Sequence, residues 1–404
     1  MRTLASVVLG LLVWCAQARA ADTAIARGEY LTRAADCAAC HLGAGDALSG
    51  GRAFATPFGT IYAPNITPDK ETGIGGYTDD EWLSALQRGV ARGGKHLYPA
   101  MPYTNYTLMT REDALDIKAY LMTQPPVHAP TPENRMRFPF NIRLLMVFWN
   151  LLNNPDHRFQ PDPAHDAVWN RGAYLAEALG HCQQCHTPRG LLQGLDTSRA
   201  YAGAITQGWK AYNLTSDPES GIGAWSEQDV AAYVSTGHAE GHGVAGGPMA
   251  EAVSYSLRYL THDDVTALAT YLKTIPPIHE APPSVSGAVA EDELDHRIFE
   301  GACASCHRLD GAGRQTPYAA LLGDQSVRDP QGTNVVQMVL GGGSIATRDG
   351  TLFMPAFAMG YTDAELAAVA NYAIEHFGHV SGQVTPADIA KARGPGQRPQ
   401  VPSS

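Results

Sequence analysis

The feature that most constrains this chain is a five-residue string, Cys-x-x-Cys-His, which occurs three times, as Cys37–His41, Cys182–His186 and Cys303–His307. This spacing is typical of a c-type haem, in which two thiols bond to the porphyrin and the adjacent imidazole reaches the iron. A zinc knuckle or a redox dithiol does not explain three copies that are each followed by His. The sequence therefore predicts three covalent haem c groups, attached and ligated by Cys37, Cys40 and His41, by Cys182, Cys185 and His186, and by Cys303, Cys306 and His307.

The remaining cysteine lies in the first twenty residues. Seven cysteines occur in 404 residues, and six of them belong to the three strings. Residues 1–20 carry Arg2, an apolar run that ends at Trp14, and Ala18-Arg19-Ala20, which together indicate a cleaved signal peptide. The bulky Trp14 before Cys15 argues against a lipoprotein signal. Because bacterial haem c is attached outside the cytoplasm, we expect a periplasmic protein of a Gram-negative bacterium.

The charge of the chain is acidic. The formal net charge is −11, and removal of residues 1–20 takes away two arginines and no acid, which leaves −13. An acidic surface of this kind argues against a nucleic-acid partner. It otherwise favours solubility and identifies no substrate.

The first two strings lie in repeated sequence. Asn65-Ile66-Thr67 matches Asn213-Leu214-Thr215, and Gly73-Ile74-Gly75 matches Gly221-Ile222-Gly223, each at an offset of 148 residues. The same offset takes Met101 to Met249. A repeat of this length predicts repeated domains.

A methionine thioether is a frequent second ligand of haem c iron, and it raises the reduction potential. Although a methionine is more often a core filler, the haem strings and the shared offset favour Met101 and Met249 as axial ligands. In the third domain the Met-Pro string that begins at Met354 predicts the same role. The rival ligands are Met109, Met122, Met338, Met359, His96, His238 and His242.

Helix signals predict the order of a class I cytochrome c: a helix, the Cys-x-x-Cys-His string, a long loop with Met, and a final helix. Capping boxes are expected at Thr78, Thr110, Thr261 and Thr362, ahead of helices that include Asp113–Met122, Asp264–Thr274 and Ala364–Phe377. We therefore predict an all-α protein of three tandem class I cytochrome c domains, with no substantial sheet. The expected boundaries are a signal peptide (1–20), domain 1 (21–132), an apolar linker (133–163), domain 2 (164–283), domain 3 (284–382, entered through a flexible stretch Ser284–Ala290) and a disordered tail (383–404).

One stretch of the linker is unusual. Residues 138–152 are apolar almost throughout, with Arg143 and Trp149 among them, and they are too few to span a bilayer. This stretch either lies in the membrane interface or packs against the haem domains or a partner subunit.

With these residues in hand, the chain resembles the triple-haem cytochrome c subunit of membrane-bound bacterial dehydrogenases of alcohol, gluconate, sorbitol, fructose and aldehyde. The resemblance rests on the three strings and on Pro57–Tyr62, Asn65–Asp69, Thr72–Gly75, Leu97–Tyr103 and residues 138–152. It implies a separate catalytic subunit with a flavin, pyrroloquinoline quinone or molybdenum cofactor. It also implies that electrons pass through the haems to ubiquinone or a terminal oxidase at the periplasmic face of the inner membrane.

The chain is thus expected to be an electron-transfer subunit with no catalytic residues of its own. Some members of the family carry an anchor near the C-terminus, which this tail lacks, and residues 138–152 are the expected membrane contact instead. A free periplasmic carrier is the first alternative. A haem enzyme such as a peroxidase is the second, although it would need an iron with an open position, and this chain offers Met to all three.

Overall fold

The computed structural model describes residues 21–280, 293–347 and 350–394. The expected signal peptide and the stretch Ser284–Ala290 lie outside these residues. The chain forms two compact units. Unit 1 takes in Met1–Asp166 and Ala173–His181, and unit 2 takes in Ala167–Gly172 and Cys182–Ser404.

Unit 1 contains the first haem string. Its helices are α1 (21–34), α2 (Cys37–His41), α3 (Asp79–Arg88), α4 (Tyr103–Tyr106), α5 (Arg111–Leu121) and α6 (Leu145–Asn153). Its strands are β1 (Ala53–Thr56), β2 (Gly59–Tyr62), β3 (Val90–Ala91), β4 (Lys95–His96) and β5 (Arg135–Met136). The core between the helices is built from the buried side chains of Leu31, Trp82, Leu86, Tyr103, Ile117 and Leu121.

Helix α7 (Ala167–Tyr174) contributes to both units and continues as a π-helical turn, Leu175–Leu179. Unit 2 then contains α8 (Gln183–His186), α9 (Glu227–Thr236), α10 (Gly247–Tyr255), α11 (His262–Leu272), α12 (Glu293–Ile298), α13 (Ala304–His307), α14 (Thr333–Gly341), α15 (Asp363–Gly378) and α16 (Pro386–Ala392). A second π-helical turn, Phe299–Cys303, joins α12 to α13. The strands are β6 (Ala204–Thr206), β7 (Trp209–Ala211), β8 (His238–Ala239), β9 (Gly243–Val244), β10 (Gly343–Thr347) and β11 (Gly350–Met354).

The expectation of an all-α protein is incomplete, because short antiparallel strands occur in both units. β1, β2 and β5 form one sheet, and the other described strands pair as β3–β4, β6–β7, β8–β9 and β10–β11. The hairpin between β6 and β7 turns at Gln207 and Gly208, both with positive φ (50° and 80°). This backbone matches the twist of a tight hairpin. Strand β5 lies in the expected linker and pairs with β2 through Gly59 and Met136, so the linker is partly integrated into unit 1.

The four predicted helix starts are confirmed. Thr78 and Thr362 form full capping boxes with Glu81 and Glu365. At Thr110 and Thr261 the hydroxyl accepts from the backbone N–H of the third helical residue, an aspartate in both helices. Further boxes at Ser226 and Thr385 were not anticipated.

The prediction of a disordered tail is wrong for residues 383–394. Helix α16 begins at the capping box of Thr385 with Asp388, and it buries Ile389 completely. Arg393 follows and donates to the Tyr361 carbonyl at 2.7 Å. A single large apolar residue, Ile389, in a short helix of alanines and polar residues gave no periodicity from which this helix could be predicted.

Candidate haem-binding sites

Each Cys-x-x-Cys-His string lies on or ends in a short helix, and the helix that the sequence predicts before each string is present. The first string is α2 itself, the second ends in α8, and the third begins at the last residue of a π-helical turn and ends in α13. All six cysteines are free thiols, and five of the six residues are half-buried. The three strings therefore present the same short helical turn with thiols available for bonding.

The three histidines share one hydrogen bond. In each ring Nδ1 faces a backbone carbonyl oxygen: His41 with Pro64 at 2.8 Å, His186 with Tyr212 at 2.7 Å and His307 with Ala319 at 2.8 Å. A neutral imidazole that donates from Nδ1 leaves Nε2 as its acceptor. Metal-ligating histidines are held in this way, with the second ring nitrogen bonded to a carbonyl or carboxylate.

Burial keeps these rings neutral. It lowers the pKa of His41, His186 and His307, and the carbonyl contact offsets only part of that effect. A neutral imidazole is the form that binds a metal.

Burial acts in the opposite direction on the thiols. It raises the pKa of Cys37 to about 12 and that of Cys303 to about 11, with smaller contributions from nearby charges. A thioether carries no ionisable proton, so attachment to a porphyrin suits these half-buried positions.

The repeated Asn-x-Thr segments hold two of the three carbonyls in place. Asn65 follows Pro64 and is almost fully buried, and its amide donates to the Val127 carbonyl at 2.7 Å. Its side-chain oxygen accepts from the Thr67 backbone N–H at 2.9 Å.

Asn213, which follows Tyr212, repeats this arrangement. Its amide donates to the Ile278 carbonyl at 2.7 Å, and its oxygen accepts from the Thr215 N–H at 2.8 Å. The Asn-x-Thr motif that is repeated in the sequence therefore fixes the segment whose carbonyl oxygen bonds to the histidine. Ala319 has a different support, a 3₁₀ turn (Pro317–Ala319) capped by Thr316.

Met101 lies in the loop between β4 and α4, and it is half-buried. The loop is attached to the protein at both ends. The Leu97 N–H donates to Gly89 at 2.7 Å, and the Tyr106 hydroxyl donates to the carbonyl of Ala35, two residues before Cys37, at 2.6 Å. The chain after Met101 is therefore tied to the segment that leads into the first string.

Met249 lies in the first turn of α10. Its counterpart in the repeat, Met101, lies in a loop, so the two methionines occupy different local structures. The Trp209 ring packs on the two glycines ahead of it, and a Cβ on Gly247 would meet that ring at 2.3 Å. Met249 packs against a small cluster that contains Ala250 and Ile345.

Met354 ends β11, and it packs against the same hydrophobic cluster as Cys303. Its rival Met338 instead lies beside Gly246 and Gly343, and Met359 is 52% exposed. Of the rivals in unit 1, Met109 is fully buried in the core and Met122 is 42% exposed. The arrangement favours Met354 over its rivals.

The rival histidines differ from one another. His242 stacks on Trp225 with ring centroids 4.0 Å apart and faces Asp229 at 3.5 Å, and His238 packs on Tyr318. His96 has a buried Nδ1 with no hydrogen-bond partner. His96 therefore stays open as an alternative ligand or as a neighbour of the first haem.

These residues fit haem c. Each string supplies two thiols and an imidazole whose Nδ1 is bonded, and the described residues show no hydrogen bond at Nε2 of the three rings. Residues 21–280, 293–347 and 350–394 contain no group of three or more His, Cys, Asp or Glu side chains that could hold a different metal ion. Within the same ranges, no helix has both the length and the apolar character needed to cross a bilayer.

The sequence analysis missed the three carbonyls of Pro64, Tyr212 and Ala319. Every residue has a main-chain oxygen, so the sequence cannot show directly which one bonds to a histidine. The repeated Asn65 and Asn213 were an indirect sign of the Pro64 and Tyr212 carbonyls. The third site gave none, because its support is a turn without the Asn-x-Thr sequence.

The chain matches known proteins along most of its length. A family model described as cytochrome c matches residues 25–125 and 296–373. The fructose dehydrogenase cytochrome subunit of Gluconobacter japonicus is 38% identical over 94% of this chain and 84% of the relative. The gluconate 2-dehydrogenase cytochrome c subunit of Pantoea cypripedii is 36% identical over 97% and 95%, respectively. The cytochrome c subunit of alcohol dehydrogenase (quinone) of Gluconacetobacter polyoxogenes is 34% identical over 94% and 86%.

Proposed function

Because this chain belongs to the family of dehydrogenase cytochrome c subunits, we propose that it carries electrons from a catalytic dehydrogenase subunit through three haem c groups to a membrane acceptor. The chain is an electron-transfer subunit, and substrate oxidation takes place on another subunit of the complex. Membership of the family implies covalent haem c. The number of haems, their ligands and the acceptor are the parts that we propose.

The observation that carries the proposal is the threefold histidine geometry. Three strings end in His residues whose Nδ1 atoms lie 2.7–2.8 Å from a carbonyl oxygen. The proposed axial pairs are His41 with Met101, His186 with Met249, and His307 with Met354. The proposed covalent links are those of Cys37, Cys40, Cys182, Cys185, Cys303 and Cys306.

We assign each string to a domain of the class I cytochrome c type, at 21–132, 164–283 and 284–382. Two observations support this division. A helix precedes each string, and a helix follows each proposed Met ligand, as α5, α11 and α15. Residues 133–163 link the first domain to the second.

A bound haem c supplies the one-electron chemistry. The contribution of the chain is to hold each imidazole in one tautomer, through Pro64, Tyr212 and Ala319. It also buries the rings, and it places a thioether sulfur in three different local structures, a loop, a helix turn and a strand end. Such differences tune potentials, because axial ligation, hydrogen bonding and burial are the means by which a protein sets them.

The relatives' names support a dehydrogenase subunit as the electron donor and, in one name, a quinone as the acceptor. The named complexes oxidise fructose, gluconate or alcohol, and one name includes a quinone. We propose an alcohol, sugar or aldehyde dehydrogenase subunit with a flavin, pyrroloquinoline quinone or molybdenum cofactor as the donor. Ubiquinone or a terminal oxidase is the proposed acceptor, at the periplasmic face of the inner membrane, after export by the signal peptide 1–20.

Haem stoichiometry tests the number of sites. The purified chain should contain three haems by the alkaline pyridine assay, and changing both cysteines of one string to Ser should remove one of them. The matched control is Ala38→Ser/Ala39→Ser, which adds two serines between Cys37 and Cys40 but keeps both thiols, so the ratio should stay unchanged. A ratio of two in the native chain would contradict the three-site proposal.

Co-purification tests the partner. The tagged chain should be isolated from detergent-solubilised membranes, and the accompanying subunits identified by mass and cofactor spectrum. A catalytic subunit in fixed ratio, which reduces the haems when its substrate is added, is the expected result. A cytochrome that purifies alone without detergent would favour the free carrier, and peroxide turnover by the reduced chain would favour a peroxidase.

A further inference from the structure

Among the described residues of unit 1, from 21 onward, the largest group of exposed apolar side chains belongs to residues 138–152. Five of them form what we call the apolar face: Phe138 (79% exposed), Leu144 (66%), Phe148 (64%), Leu151 (83%) and Leu152 (70%). Phe140, Ile142, Leu145 and Val147 are each 39–42% exposed in the same segment. Isolated exposed apolar residues are ordinary, but a concentration of this kind marks an interaction site.

Two polar side chains of this segment, Arg143 and Asn150, are turned toward the protein, whereas Asn141 is exposed. Arg143 donates from Nη1 to the His96 carbonyl at 2.7 Å, and its guanidinium lies 4.7 Å from the centre of the Tyr98 ring. The Tyr98 hydroxyl in turn donates to the Phe140 carbonyl at 2.8 Å. The arginine that could have lain in solvent therefore fastens the segment to the loop that carries Met101.

Helix α6 shows the same inversion. Asn150 accepts from the Tyr103 hydroxyl at 2.7 Å and donates to the Arg88 carbonyl at 3.2 Å. Asn154, just beyond the helix, donates to the Gln87 carbonyl at 3.2 Å. An ordinary surface helix turns its apolar stripe to the core and its polar side to water, and α6 does the reverse.

The charge around the apolar face is positive although the chain is acidic. Residues 133–158 contain four arginines (Arg135, Arg137, Arg143 and Arg158) and two acids (Glu133 and Asp156), a net charge of +2 in a chain of net charge −11. Arg135 and Arg137 are exposed, and they stand immediately before Phe138. The nearest acid after the segment, Asp156, faces Arg158 at 2.8 Å.

We propose that the apolar face docks on the surface of an anionic phospholipid bilayer, with Phe138, Leu144, Phe148, Leu151 and Leu152 inserted at the acyl boundary and Arg135 and Arg137 at headgroup level. Apolar side chains next to basic ones are the composition that binds anionic interfaces. A protein interface normally adds hydrogen-bonding groups at its rim, whereas Asn141 is the only exposed polar side chain among residues 138–152. This inference rests on the proposed function, because a docked chain would bring its haems close to the membrane acceptor.

Vesicle flotation of the full, haem-loaded chain tests the proposal. The native chain should float with vesicles that contain phosphatidylglycerol, and less with phosphatidylcholine alone. The variant Phe148→Ser/Leu151→Ser/Leu152→Ser should reduce the floating fraction at least tenfold. The matched control is Leu191→Ser/Leu192→Ser, because these leucines are 98% and 61% exposed in unit 2 and should not affect flotation.

Further arms separate the alternatives. Arg135→Gln/Arg137→Gln should bring binding to phosphatidylglycerol vesicles down to the phosphatidylcholine level. If this variant binds phosphatidylglycerol vesicles as well as the native chain does, the preference for anionic lipid is overturned. Should the triple variant lose its haem spectrum, Leu151→Ser alone keeps the test valid, since that side chain is already in solvent. A native chain that stays with the pellet, or a triple variant that floats normally, overturns the docking surface.

A triple variant that instead loses its co-purifying subunit would assign the face to a protein. Flotation does not depend on the dehydrogenase. A chain that fails to float but is still reduced by its catalytic subunit would therefore overturn the docking surface and leave the electron-transfer proposal intact.

Discussion

At His41, His186 and His307 the orientation of the imidazole is set by a main-chain oxygen. The Nδ1 contacts of 2.7–2.8 Å favour the tautomer in which Nε2 is the acceptor, which is the nitrogen of the proposed iron bond. A hydrogen bond at the second nitrogen also makes the ring a more basic ligand, which favours ferric iron. The residues that hold these oxygens should therefore affect both stability and potential.

Asn65→Ala and Asn213→Ala test that connection. Each removes a nearly fully buried amide. It leaves the Thr67 or Thr215 N–H without this acceptor and leaves the Val127 or Ile278 carbonyl with only a long contact from a threonine hydroxyl, at 3.4 or 3.5 Å, which should destabilise the fold by about 1–3 kcal/mol. Loosening the Pro64 or Tyr212 carbonyl should also raise the potential of one haem. Chemical unfolding and a redox titration measure the two effects.

The control for these variants is Asn141→Ala, an exposed side chain that should change stability by less than about 0.5 kcal/mol. If Asn65→Ala and Asn213→Ala destabilise the chain but leave all potentials unchanged, the Asn-x-Thr segments support the fold and not the ligands.

Met101→Ala, Met249→Ala and Met354→Ala test the sixth ligands. If all three methionines bind ferric iron, each variant should remove about one third of the near-infrared charge-transfer band of Met-ligated haem. Met122→Ala and Met359→Ala, at exposed positions, should leave the band unchanged. A variant at Met101 that kept the full band would turn attention to His96, with its unpartnered buried nitrogen.

The sequence alone was enough to predict the cysteines and histidine of each proposed site, but only some of the residues around them. The cysteines and histidines were evident because the chemistry requires a fixed spacing along the chain. The hydrogen-bonding carbonyls depend on how distant segments fold back, as from Asn65 to Val127, and no local pattern records that.

At the level of helices, Arg27 and Arg171 explain why two capping boxes are incomplete. Asp113 could have closed the box at Thr110, but its carboxylate accepts from Arg27 and from the Tyr174 hydroxyl. Asp264 accepts from Arg171 through both oxygens, at 2.8 and 2.6 Å. These ion pairs thus join α1 to α5 and α7 to α11. In each pair, a helix before a string contacts the helix after the proposed Met ligand of that string.

Gly28→Ala and Gly172→Ala should break the same two helix contacts. A Cβ at either position would lie 1.9 Å from a backbone oxygen, of Asp116 or Ala267. Because backbone cannot move aside cheaply, each variant should lose about 3 kcal/mol of stability or fail to fold.

Gly341→Ala is the matched control, since a Cβ there meets nothing within 4 Å. It should stabilise α14 by up to about 1 kcal/mol. Equal melting temperatures for the native chain and Gly28→Ala would contradict the close approach.

Elements with a strong period or a cap were predictable, and short elements were not. The helices α5, α11 and α15 were anticipated within two residues of their ends. The strands of two to five residues depend on turn geometry and on partners elsewhere, as β5 depends on β2, so they left no alternating pattern of sufficient length.

In unit 2 as a whole, the parts that follow the second and third strings pack together. Lys210 and Asn334 exchange two hydrogen bonds, at 2.8 and 2.9 Å. The Tyr318 hydroxyl donates to the Thr236 carbonyl at 2.9 Å. Ile345 lies in the cluster against which Met249 packs, so the two proposed haem domains share a core.

Asp324 is an ionisable group within this contact. Its carboxylate accepts from the Ser326 N–H at 2.7 Å and from the Val244 N–H at 3.3 Å. Burial raises its pKa above the usual 3.8, and these hydrogen bonds offset only part of that effect. The native protein therefore keeps a proton on Asp324 at pH values where the unfolded chain has released it.

The pH dependence of Asp324→Asn follows from this proton. Between the ordinary pKa and the raised one, folding takes up a proton, so the stability that Asp324 contributes falls as pH rises, by at most about 1.4 kcal/mol per pH unit. Asn cannot bind that proton. Urea unfolding from acidic to neutral pH should therefore show the native chain losing stability relative to Asp324→Asn, until the native carboxyl ionises and the two curves become parallel.

Asp217→Asn provides the opposite sign in the same unit. Hydrogen bonds from Ser220 lower the pKa of Asp217 to about 2, so its contribution is complete above the ordinary value and is lost as pH falls toward 2. The free energy of unfolding of the native chain, relative to that of Asp217→Asn, should fall in acid. Relative to that of Asp324→Asn, it should fall as pH rises. Parallel curves for the native chain and Asp324→Asn at every pH would mean that the pKa of Asp324 is the same in the native and the unfolded chain, and that the contact between the two proposed haem domains does not raise it.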